Sequence, residues 1–181
     1  TINLESSSKI DSVVSGSNIT GLNTLNVTKA TTAAVDAAST TDVNVSGATG
    51  AINVSGGKNI VVNDATADKA INIGSSSTVG AAVTETNAAG TITVTDTKQG
   101  TADITTNGGT DVTINATITT ANAAIDGGDI SVGATTAATG NVKITQNLNS
   151  DGGDNDADDL TQTTFIKTIH QINYSTFAHK T

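Results

Sequence analysis

Leu25-Asn26-Val27-Thr28, Val43-Asn44-Val45-Ser46 and Ile52-Asn53-Val54-Ser55 are three copies of one phrase: aliphatic, Asn, aliphatic, hydroxyl. Looser copies follow at Ile71-Asn72-Ile73-Gly74, Ile92-Thr93-Val94-Thr95, Val112-Thr113-Ile114-Asn115, Ile130-Ser131-Val132-Gly133 and Val142-Lys143-Ile144-Thr145. Successive side chains of an extended chain point to opposite faces. Each copy is therefore a minimal β-strand, with two aliphatics on one face and polar residues on the other. Outward from these copies, the same couplet, or Ala in its place, stands at Ala33/Val35, Ile60/Val62, Ala81/Val83, Ala102/Ile104 and Ala121/Ala123. Couplets return about every 8 to 12 residues, the interval of short strands in an all-β chain. Turn formers fill the gaps, as in residues 46–50 (Ser-Gly-Ala-Thr-Gly), 55–59 (Ser-Gly-Gly-Lys-Asn) and 106–110 (Thr-Asn-Gly-Gly-Thr).

Such periodicity fits two architectures. One is a parallel β-solenoid, in which two strands make one coil and each coil stacks on the last. The other is an antiparallel β-sandwich built from hairpins. The solenoid is favoured by the shortness of the strands and by the return of Asn or Thr at the same outward phase. Most turns also lack the Asn-Gly or Asp-Gly dipeptides that hairpins prefer. Composition agrees. Aromatics are 2% of the chain, and all of them (Phe165, Tyr174, Phe177) lie near the C-terminus. The repeat must therefore build a thin core from Val, Ile, Leu and Ala. Proline is absent, which leaves every backbone N–H free to join a ladder.

Four stretches are expected: an entry segment over 1–18, the repeat over 19–148, an acidic loop over 149–159, and a capping or subunit-contact segment over 160–181. The acidic loop holds Asp151, Asp154, Asp156, Asp158 and Asp159 among Gly and Asn. Clustered carboxylates on a flexible loop are the oxygen donors that Ca²⁺ prefers. Asp126-Gly127-Gly128-Asp129 is a tighter version with two carboxylates. The same residues also read as a solvated acidic linker and a plain turn.

Charge and motifs exclude more than they select. Net charge is −9, pI is about 4.3 and there is no Arg, so a phosphate-binding surface for nucleic acid is not expected. No apolar run approaches the roughly 20 residues of a membrane-spanning helix. Cys is absent, which removes disulfides and thiolate metal sites. His170 and His179, the two histidines, make neither a zinc motif nor a triad. No nucleophile elbow or phosphate-binding loop is present. No enzyme activity is expected. Alternating Thr91, Thr93, Thr95 and Thr97 suggest either an ordinary exposed strand or an ice-facing array.

The run from Ile19 to Thr28, followed by residues 43–48 and 52–57, resembles the β-strand-repeat region of bacterial surface-layer proteins. It equally resembles large adhesins of the repeats-in-toxin secretion class. The resemblance spans residues 19–146. It implies a secreted, cell-surface protein that assembles with itself into a lattice or filament and is ordered by calcium. An adhesin stalk or a glycan-binding module is the alternative. The tandem Gly-Gly-x-Gly-x-Asp of the toxin repeat is missing. The expectation is therefore a few ions at ends or interfaces, not one in every turn.

Overall fold

The computed structural model describes residues 1–5, 21–64, 66, 68–74, 87–120, 127–150 and 165–169; side chains are described for these except 119–120, 148–150 and 165–169. Among the described residues the chain is all β, without a helix. The strands are β1 (Ile2–Glu5), β2 (Thr24–Thr28), β3 (Ala33–Ala37), β4 (Asp42–Ser46), β5 (Ile52–Gly56), β6 (Ile60–Asp64), β7 (Ile71–Ile73), β8 (Ile92–Asp96), β9 (Ile104–Thr106), β10 (Val112–Thr120), β11 (Ile130–Val132), β12 (Val142–Ser150) and β13 (Phe165–Ile169).

The chain alternates between two sheets. One runs β1-β2-β4-β6-β8-β10-β12-β13 and the other β11-β9-β7-β5-β3. From β1 to β12 every pairing is parallel, and only β13 turns back, antiparallel to β12. This is the stacked-coil parallel β-solenoid, and the antiparallel sandwich is set aside by strand direction. Seven parallel strands at about 4.8 Å spacing give the first sheet a depth of roughly 30 Å.

Register explains the core. Leu25, Val43, Ile60, Ile92 and Val112 lie directly over one another, and all are fully buried. Val27, Val45, Val62, Val94 and Ile114 form the second inward column. Across the core the other sheet supplies Ala33, Ile52, Ile71 and Ile104, then Val35, Val54, Ile73 and Thr106. Aliphatics two residues apart and one strand apart fill the core among the described residues, with no aromatic ring among them.

Two expectations are adjusted. The couplet near 102 is shifted by two residues: Ile104 sits over Ile71 and Thr106 over Ile73, while Ala102 is only half-buried. Ladder register and the larger Ile outweigh the smaller apolar gain of Ala. Spacing is also less even than the couplets suggest. The coils from Ile60 to Ile92 and from Val112 to Val142 are each more than ten residues longer than the coil from Val43 to Ile60. The Ala81/Val83 and Ala121/Ala123 couplets lie outside the described residues, as does most of the entry segment.

One corner changes character along the stack. Lys29 and Gly47 turn it with positive φ (54° and 60°) and are exposed. Two coils on, Asp64 and Asp96 stand at the equivalent place with buried side chains. Each carboxylate accepts the N–H two residues ahead, from Thr66 (3.0 Å) and Lys98 (2.9 Å), so a side chain closes the turn. Gly74, at the end of β7, has φ +72°, and a Cβ there would collide with the Asn107 carbonyl. Only glycine fits both constraints.

Candidate functional site: outer ladders and stack ends

Three surfaces follow from this register: the outer sheet faces, the strand-entry rims and the two ends of the stack. On the outer face of the larger sheet Asn3, Asn26 and Asn44 are aligned. Asn44 Nδ2 donates to Asn26 Oδ1 (2.8 Å), and Asn26 Nδ2 donates to Asn3 Oδ1 (2.6 Å). The other sheet repeats the device, with Asn72 Nδ2 donating to Asn53 Oδ1 (3.0 Å). A carboxamide carries both donor and acceptor, so identical residues one strand apart join into a chain. The repeated Asn is thus explained by stacking.

The Thr row reads differently. Thr93 and Thr113 are in register, but their column continues through Val61 on one side and Lys143 on the other. The neighbouring column mixes Ser46, Asn63, Thr95, Asn115 and Thr145. The face is polar but chemically mixed.

At the rim, an Asp or Asn immediately before the first inward aliphatic accepts an N–H from the next coil. Asp42 Oδ1 accepts Asn59 N–H (3.3 Å), Asn59 Oδ1 accepts Thr91 N–H (3.1 Å), and Asp111 Oδ1 accepts Asn141 N–H (2.7 Å). On the second sheet Asp103 Oδ1 accepts Asp129 N–H (2.9 Å). Sequence reading missed this Asx-aliphatic signature, although Asp42-Val43, Asn59-Ile60, Asp103-Ile104 and Asp111-Val112 all display it. Asp68 plays a related part: Thr101 N–H (2.7 Å) and hydroxyl (3.1 Å) both donate to it. These two bonds hold its carboxyl below the usual range.

Of the seven aspartates expected to bind calcium, Asp129 alone falls among the described residues. It is exposed, and it is tied to the coil before through its N–H. Asp126, Asp151, Asp154, Asp156, Asp158 and Asp159 lie outside the described residues, as do His170 and His179. Among the described residues no three His, Cys, Asp or Glu side chains gather as a metal-binding group.

The ends of the stack differ from its middle. Ile2 and Leu4 occupy inward positions but are only partly buried; so are Ile130, Val132, Val142 and Ile144 at the other end. The exposed pair Lys29 Nζ–Glu5 Oε1 (2.7 Å) ties the first strand to the second coil. Their hydrogen bond lowers the Glu5 pKa and raises that of Lys29. At the far end β13 pairs with Val142 through Gln146 of β12, Ile169 lying opposite Val142 and Phe165 opposite Gln146. Comparison with known protein families, curated proteins and solved structures finds no match to this chain.

Proposed function

We propose that this chain is a structural, non-enzymatic part of a secreted cell-surface protein that self-assembles into an extracellular lattice or filament. One observation carries the reading: the thin core is buried throughout its middle and only half-covered at both ends. Ile2 and Leu4 at one end face the same problem as Ile130, Val132, Val142 and Ile144 at the other. The two ends carry different residues, so their union is head-to-tail. A head-to-tail contact that does not close on itself propagates as a filament.

The C-terminal segment supplies the joint. β13 is the last strand of the larger sheet, and among the described residues β12 is its one partner strand. Its outer edge offers N–H and C=O groups to a further strand. The aromatic residues of 160–181 add anchors of the kind that dominate interfaces. Calcium bound by Asp126, Asp129 and the 151–159 aspartates orders the assembly at its ends. A cell-surface glycan is a second partner, met by the amide and hydroxyl ladders.

Electron microscopy of the purified chain, with calcium and with a chelator, tests the reading. Ordered sheets or fibres that require calcium are expected, and dispersed rods under both conditions argue for an adhesin stalk. Deletion of residues 160–181 is expected to abolish assembly and leave the β circular-dichroism signal of the repeat intact. Undiminished polymerisation of that variant refutes the proposed joint.

A further inference from the structure

Asp64 and Asp96 are an unusual pair to find inside a thin aliphatic core. They are directly in register on the parallel neighbours β6 and β8, with Cα atoms one strand spacing apart. Both are inward, at 2% and 1% exposure. Asp96 Oδ1 accepts Lys98 N–H (2.9 Å), while Asp96 Oδ2 is buried with no hydrogen-bond partner. Two carboxylates this close in a low-dielectric site resist ionising together.

Among the described residues no cation faces Asp96. On β6 the facing group is Asp64 itself. On β10 the residue in register with Asp96 is Ala116. Across the core, β7 and β9 present Ile71, Ile73, Ile104 and Thr106. In the turn that follows, Lys98 is exposed and Gln99 is buried and uncharged, its amide donating to Gly128 O (2.8 Å). Gln146, one strand beyond Ala116, donates to Gln99 Oε1 (2.8 Å).

We propose that the Asp64–Asp96 stack is a one-proton switch built into the core: mild acid places a proton on Asp96 Oδ2 and tightens the join between β6 and β8. This does not depend on the assembly reading. Burial pushes the Asp96 carboxyl up from 3.8 to about 6; the Lys98 N–H opposes the shift and the Asp64 charge adds to it. The sign follows from linkage. The folded chain holds this proton more tightly than the unfolded chain, so the stabilisation is fully present below about 4 and lost as pH rises through about 6. A difference of about two units moves the unfolding equilibrium by up to about a hundredfold. Glu5 and Asp68, held below the ordinary range, act with the opposite sign. The switch is therefore read as a difference between variants.

Urea unfolding of the full chain and of Asp96→Asn, from about pH 8 to about 4.5 with chelator present, is the test. Asn keeps the acceptor for Lys98 N–H but carries no charge. The variant is expected to be more stable at pH 8 by up to about a hundredfold in equilibrium constant. Its advantage should shrink to about fivefold by pH 4.5. An advantage that does not change with pH, or none at pH 8, overturns the proposal. Site-assigned carbon NMR of the side-chain carboxyls reads the same group without mutating it. Asp96 titrating near 6, and lower in Asp64→Asn, is expected. Titration in the ordinary carboxylate range, or a midpoint unmoved by Asp64→Asn, overturns it.

Discussion

Thr106 is the residue where the repeat departs most clearly from its own rule. Its column reads Val35, Val54, Ile73, Thr106, Val132, and its hydroxyl is fully buried with no hydrogen-bond partner. Removing a buried, unpaired hydroxyl while keeping the shape removes a desolvation penalty. Thr106→Val is therefore expected to stabilise the chain by about 1–2 kcal/mol, read as a higher urea midpoint with unchanged m-value. Sequence reading placed the inward couplet at Ala102/Ile104 because Ala is apolar and Thr is not. Register with Ile71 and Ile73, invisible in the sequence, decides otherwise. The buried aspartates were missed for a similar reason. Strict alternation from Ile60 and Ile92 puts Asp64 and Asp96 inward, but an aspartate beside a turn reads as solvated unless its neighbour along the stack is known. The expected calcium ligands other than Asp129 stay outside the described residues, so that part of the site rests on composition.

At the scale of the element, a coil is held by its neighbours above and below. Ile92 is flanked in register by Ile60 and Val112 and is fully buried, whereas Ile2 has Leu25 on one side and is partly exposed. Ile92→Ala is expected to cost about 2–5 kcal/mol, because the stack cannot collapse around the lost volume. Ile2→Ala is expected to cost about 1 kcal/mol or less. Equal losses in chemical denaturation contradict the nearest-neighbour picture. Most couplets were legible, since alternation marks a half-buried strand whatever its partner. Strand direction was not: a parallel and an antiparallel neighbour demand the same alternation. The uneven coil lengths were not legible, because couplet spacing alone does not say which strands pair.

At the scale of the whole molecule, a solenoid is a one-dimensional object whose core ends must be covered by something. Here the inward aliphatics fade from full burial to partial exposure at both ends, and β13 reverses direction at one of them. The change of composition after Leu148 suggested a separate C-terminal segment, but nothing in the sequence announced the antiparallel return of β13 onto β12. The most direct measurement is sedimentation velocity of the unmodified chain over a wide concentration range. Head-to-tail joining predicts a series of species growing with concentration beyond the 17.9 kDa chain. A single species of that mass at every concentration, with and without calcium, contradicts self-assembly.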